Sequence, residues 1–194
     1  MQNKQLTIKL IVMNFLEFAV WGAYLTSLGR YLGNAGLGPQ IKWFFAMQGI
    51  VSIFMPTLMG IVADRHIQAQ KVLSLCHGLA GLFMIAAGLY CMNAGASLAF
   101  APLFVLYSIS VAFFMPTIAI ANSVAYNALT KAGMDPVKDF PPIRVFGTVG
   151  FICSMLVTNF LKIGGTAMQD SYTQLISSGI LSLVLCGYAL TMPA

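Results

Sequence analysis

Arg144, Thr148 and Phe151 are spaced i, i+4 and i+7, so in a helix they share one face. A guanidinium fork, a hydroxyl and an aromatic ring on one face suit a polar solute that carries a ring. Arginine and threonine would supply hydrogen bonds and phenylalanine a stacking surface. The three belong to the stretch FPPIRVFGTVGF at 140–151, from which an apolar run continues to Leu161. Arg144 also reads as a cationic anchor at a membrane edge, and spacing alone does not choose between the two roles. Gly147 and Gly150 fall on neighbouring faces, where they permit close approach of another helix.

Glu17 is the second candidate for chemistry. It sits deep in an apolar segment, where a carboxylate costs roughly 2.5–3.5 kcal/mol on insertion scales, so it must face a bundle interior or a water cavity. Asn14, Glu17, Trp21 and Tyr24 follow helical spacing and form one polar-aromatic stripe. A proton carrier has this pattern, and so does a protonated carboxyl bonded to a neighbouring helix. Gly60, Asp64 and Arg65 form a third group: a small residue where helices can meet, then an acid-base pair at a helix end. A carboxylate there can cap a partner helix and latch a gate, or simply sit in a charged turn. Asn122 and Tyr126, at i and i+4, are lesser cavity candidates beside Trp21 and Tyr24, with helix–helix hydrogen bonding as the plainer role. His77 stands alone in its segment and reads as a hydrogen-bonded structural residue. No His, Cys or acid residues have a metal-ligand spacing, and no P-loop, GxSxG or HExxH motif occurs, so neither a metal site nor an enzyme is expected.

The elements that hold these residues follow from composition. Of the 194 residues, 59% are hydrophobic and 8% charged, where a soluble domain carries about 25% charged residues. Mean hydropathy is +0.85. An integral membrane protein is expected, and the net charge of +5 reflects topology rather than nucleic-acid binding. Cys76, Cys91, Cys153 and Cys186 all fall in or at the ends of apolar runs and read as buried hydrophobes. The first apolar region has no cleavage-like end and reads as an uncleaved span. Six spans are expected, over 7–32, 41–63, 71–92, 98–128, 142–163 and 172–192, with Pro142 in the first turn of the fifth. With the N-terminus inside, Lys4, Lys9, Arg65, Lys71, Lys131, Lys138 and Arg144 face the cytoplasm. Arg30, Lys42 and Lys162 face outward, which puts both termini in the cytoplasm. Pro56 and Pro116 interrupt the second and fourth spans within the same tetrapeptide, Phe-Met-Pro-Thr, and each is expected to bend its helix.

Two stretches carry a resemblance. Gly60, Asp64, Arg65 and Lys71 loosely match the loop between helices two and three of the major facilitator superfamily, without its second glycine and double basic pair. The likeness is closer in Ala132-Gly133-Met134-Asp135-Pro136-Val137, in Asp139-Phe140-Pro141-Pro142-Ile143-Arg144 and in Gly147-Thr148-Val149-Gly150-Phe151. These blocks resemble the bacterial nucleoside:proton symporters of that superfamily. The likeness extends along the whole chain, and the Pro-Pro-Ile-Arg block is its specific part.

The resemblance implies an all-α membrane protein of six transmembrane helices, built as a 3+3 inverted repeat and forming the N-terminal half of the fold. It implies a nucleoside site lined by Arg144, Thr148 and Phe151, a proton as the coupling ion with no other cofactor, and alternating access. It also implies a multi-pass location in the bacterial inner membrane. The expected partners are a nucleoside, the lipid bilayer and a C-terminal six-helix half, on the same or a separate chain, with no nucleic acid. The resemblance gives Glu17 no role, because relatives carry glutamine there. The competing readings are a non-transporting six-helix scaffold or assembly partner, and a symporter of another polar solute such as a sugar.

Overall fold

A computed structural model describes residues 2–65 and 67–193, apart from the side chains of Gln2 and Asp64. The chain forms α1 (Gln2–Gly22), α2 (Leu28–Asn34), α3 (Ile41–Arg65), α4 (Ala69–Ala94), α5 (Phe100–Phe114), α6 (Thr117–Lys131), α7 (Pro136–Phe160) and α8 (Thr173–Ala189). A two-stranded hairpin, β1 (Lys162–Ile163) and β2 (Thr166–Ala167), joins α7 to α8. Five stretches, with α5 and α6 counted as one, are long and apolar enough to cross a membrane, and α8 is a shorter apolar helix.

The first span is not continuous. It breaks at residues 23–27, where tighter turn bonds such as Ser27 N–H to Tyr24 O at 3.2 Å interrupt the helical ladder. The carbonyl of Ala23 at this break accepts instead from the Thr158 hydroxyl on α7 at 3.0 Å. The fourth span breaks at Met115–Pro116, where proline cannot donate to the ladder and the Thr117 hydroxyl bonds the Phe114 carbonyl at 2.5 Å. The matching Pro56 leaves α3 unbroken.

The fifth span starts six residues earlier than its prolines suggest. Asp135 caps α7 by accepting from Val137 N–H at 3.0 Å, and Pro136 takes the first helical position. Pro141 and Pro142 therefore lie inside the helix. Arg144 is then about 12 Å into α7, at 1.5 Å per residue, and not at its edge.

Two helix pairs pack most extensively, α4 on α8 and α1 on α7. Both contacts depend on missing side chains. A Cβ at Gly150 would lie 2.1 Å from the Phe15 carbonyl oxygen, and one at Gly22 would lie 2.4 Å from that of Phe151. A Cβ at Gly81 and one at Gly179 would each meet the other residue's carbonyl oxygen at 2.8 Å. Small residues let membrane helices touch backbone to backbone. Serine hydroxyls tie the bundle further, with Ser178 donating to Val20 O at 2.8 Å and Ser110 to Ala80 O at 2.7 Å.

The core forms around α1, α4, α6 and α8 at one end, with Leu10, Leu73, Val124 and Leu185 fully buried. At the other end Leu28, Phe44, Leu103, Tyr107 and Leu175 close it. By contrast, almost none of α3 and little of α7 is buried. The hairpin turns on Gly164 and Gly165, whose φ values of +60° and +85° suit a two-residue loop. Beyond it, Asp170 receives two hydrogen bonds from Arg30, at 2.5 and 3.2 Å, and one from Asn34 at 3.2 Å.

Candidate solute-binding face and buried acid–histidine pair

Helix α7 places Arg144, Thr148 and Phe151 on one face, as the spacing requires. Arg144 and Phe151 are half-buried and Thr148 is exposed. The guanidinium carbon of Arg144 lies 3.9 Å from the centroid of the Phe18 ring on α1. That is a cation–π contact, and it holds the fork without neutralising it. Among the described residues no carboxylate pairs with Arg144. Phe151 meets Trp21 edge-on, with centroids 6.2 Å apart and planes at 84°. The α1–α7 seam therefore sets one cation, one hydroxyl and several rings beside each other.

Gly147 makes room for this arrangement. A Cβ there would fall 2.7 Å from the Phe18 ring and 2.8 Å from Arg144 Nη1. Both neighbours are side-chain ends, so they can shift while the helices stay in place. Gly147→Ala is therefore expected to displace the guanidinium, weaken solute binding several-fold and move the unfolding temperature little. Binding and thermal melts on the same preparation check both parts.

A second constellation lies behind the first. Glu17 and His77 are buried, at 1% and 0% exposure, and Glu17 Oε2 is 2.8 Å from His77 Nε2. Glu17 Oε1 lies 2.7 Å from the Thr117 hydroxyl at the head of α6, whose one hydrogen is shared between that oxygen and the Phe114 carbonyl. His77 Nδ1 lies 2.9 Å from Ser182 Oγ, and that hydroxyl also donates to the His77 carbonyl at 2.9 Å. Four helices thus meet through one carboxyl group and one imidazole. Of the polar-aromatic stripe, Asn14, Glu17 and Trp21 lie on α1, the first two buried and Trp21 half-buried, whereas Tyr24 is buried in the break that follows. His77, read from the sequence as alone in its segment and a hydrogen-bonded structural residue, is the partner of Glu17. Its location in an apolar helix was the available signal, but its partner is 60 residues away in the chain.

Residues 4–194 match the family described as "Nucleoside H+ symporter". This chain belongs to the nucleoside H+ symporter family. It is 40% identical over 191 residues to the xanthosine permease of Escherichia coli K12, covering 97% of this chain and 43% of that permease. It is 34% identical over 190 residues to the nucleoside permease NupG of the same organism, with the same coverage. A crystal structure of the nucleoside transporter NupG superposes with a TM-score of 0.81 at 34% identity, over 97% of this chain and 44% of that one. A NupG structure carrying a D323A mutation gives 0.86. The chain thus spans less than half the length of the relatives it matches, corresponding to their N-terminal half. It is a multi-pass membrane protein with the helical fold of that half.

In this symporter-family chain the remaining candidates fall at separate places. Asn122 shares an open groove of about 580 Å³ with Trp21, Gln48 and Ser52. Tyr126 instead packs edge-on against Phe140, with centroids 4.7 Å apart. Tyr24 meets Tyr107 edge-on at 6.1 Å in the core, where it borders a void of only about 10 Å³. A Cβ at Gly60 would meet nothing within 4 Å, so among the described residues no helix makes the close approach expected there. Arg65 is exposed, and the side chain of Asp64, the latch candidate, lies outside the described residues.

Proposed function

We propose that this chain supplies one half of a proton-coupled nucleoside symporter, with its part of the substrate site on α7. The observation that carries the reading is the half-buried Arg144, held on the Phe18 ring and paired with no described carboxylate, on the same face as Thr148 and Phe151. Family membership supports a nucleoside as the solute and a proton as the coupling ion. The base stacks on Phe151 while Arg144 and Thr148 bond polar atoms of the solute. No other cofactor takes part.

The second half of the site comes from a C-terminal six-helix unit, on the same or another chain. The poorly buried faces of α3 and α7 supply apolar surface for that unit and for lipid. The two halves rock about a site near the midplane, with both ends of this chain in the cytoplasm and Asp64 in the inner latch.

Phe151→Ala tests the reading. Loss of a base–aromatic stack costs about 1–3 kcal/mol, so nucleoside affinity is expected to fall about tenfold or more. Free ribose, which has no base to stack, should bind as weakly to the variant as to the parent. Unchanged nucleoside affinity in the variant would remove Phe151 from the site.

A further inference from the structure

We propose that Glu17 and His77 form a single proton-binding site, loaded with one exchangeable proton per cycle, and that Ser182 transmits its occupancy to α8. The proposal rests on the proton-coupled reading above, and deepens it by placing a proton site on this half.

With the one Thr117 hydrogen on its bond to Glu17 Oε1, the remaining bonds limit where protons can be. The Ser182 hydroxyl has one hydrogen, and in the loaded form we place it on the bond to the His77 carbonyl at 2.9 Å. The contact from Ser182 Oγ to His77 Nδ1, also 2.9 Å, then needs its hydrogen on Nδ1. That leaves Nε2 facing Glu17 Oε2 at 2.8 Å, a gap that requires one proton. It sits on the carboxyl, opposite a neutral ring, or on Nε2, opposite a carboxylate. The pair is electrically neutral in both forms, which a fully enclosed position demands.

Removing that proton rearranges the bonds. The pair keeps one hydrogen and gains a negative charge. Were the hydrogen still on Nδ1, two lone pairs would face each other across the 2.8 Å gap. It therefore moves to Nε2, where it bonds the carboxylate, and Nδ1 becomes an acceptor. Ser182 must then turn its only hydrogen from the His77 carbonyl to Nδ1, which deprives that α4 carbonyl of its bond from α8. The departing proton goes to water, and reloading takes one from water on the other side. Because an unloaded pair is a buried charge, unloading requires the bundle to open to water or bring a cation near.

Few other charges or titratable groups surround the pair. Cys76 is next to His77 on α4 and lies within electrostatic reach of Glu17. Cys186 is one turn beyond Ser182 on α8 and 3.4 Å from the Ser74 hydroxyl. On α7 the cation packed against α1 is Arg144, which stacks on Phe18, the residue after Glu17. Tyr24 and Tyr107 lie toward the other core cluster. Thr117 and the Phe114 ring, 6.0 Å from His77, close the remaining sides without charge. Phe18, on whose ring Arg144 stacks, is thus the chain neighbour that links the proton pair to the solute face.

The test is nitrogen-15 NMR of the histidine rings in the full chain, in lipid nanodiscs without nucleoside, across a pH series. The sequence has two histidines, so His66→Gln assigns the His77 signals while leaving the pair intact. The expected result is a single one-proton step within the series, in which the ring hydrogen moves from Nδ1 to Nε2. Glu17→Gln should abolish the step, and Ser182→Ala should alter the tautomer balance. A His77 ring that keeps one tautomer and charge throughout, or a step unchanged in Glu17→Gln, would overturn the proposal. Should Glu17→Gln not fold, the parent chain alone still decides, since absence of the step refutes it. An intact step with no nucleoside binding would sink the transport reading and leave the proton site standing.

Discussion

Replacing Arg144 by alanine should weaken nucleoside binding about 100-fold while leaving the fold in place. A hydrogen bond from a charged donor contributes about 1.5–3 kcal/mol, and each 1.4 kcal/mol is tenfold in affinity. Two bonds from one fork therefore account for a loss of that size. The structural cost is small, because the side chain is half-buried and its contact in the chain is the Phe18 ring, about 1 kcal/mol in a partly exposed setting. Arg144→Lys separates the two roles that the sequence left open. Lysine keeps the charge and would serve fully as a membrane anchor, but it lacks the planar fork. The expected outcome is a residual loss of about tenfold, halfway to alanine on the energy scale. Isothermal titration with nucleosides, on the chain assembled with a C-terminal six-helix half, reads both variants. Full rescue by lysine would favour the anchor role.

Gly150→Val should cost about 3 kcal/mol of stability, near the upper end for overpacked cores. The obstacle is backbone: an added Cβ would sit 2.1 Å from the Phe15 carbonyl oxygen, with the Phe15 carbon and Cα also within 3.0 Å. No side chain can rotate away, so α1 must move off α7. The whole solute face depends on that seam, because Phe18 and Trp21 reach Arg144 and Phe151 across it. Thermal unfolding in detergent should show a large drop in midpoint for Gly150→Val and none for Gly187→Ala, where a new Cβ meets nothing within 4 Å. Equal midpoints for the two variants would mean that the α1–α7 contact is looser than described.

What the sequence revealed tracks how local each feature is. Arg144, Thr148 and Phe151 were legible because seven residues of one helix fix their common face. Glu17 was legible because a carboxylate at lipid depth is costly wherever its partner lies. The partners of His77 were not legible because they are set by tertiary packing, Glu17 60 residues away and Ser182 105. The start of α7 was misplaced because two signals of the same kind compete. Asp135-Pro136 and the Pro141-Pro142 pair both look like a helix entrance, and only the Asp135 cap is used. The repeated Phe-Met-Pro-Thr makes the same point. At 54–57 the helix continues past Pro56, whereas at 114–117 it breaks and Thr117 turns to both Phe114 and Glu17. Identical tetrapeptides differ here through what lies next to them, and a buried carboxylate is beside only one.

The proposed nucleoside site on α7 is tested most directly by photolabelling. An azido-purine and an azido-pyrimidine nucleoside would be activated on the chain assembled with a C-terminal six-helix half, and the adducts mapped by peptide mass spectrometry. The account predicts adducts within 144–151 or on Phe18 and Trp21 across the seam, lost when unmodified nucleoside is in excess. Competed adducts confined to other parts of this chain, or none on it at all, would contradict the account.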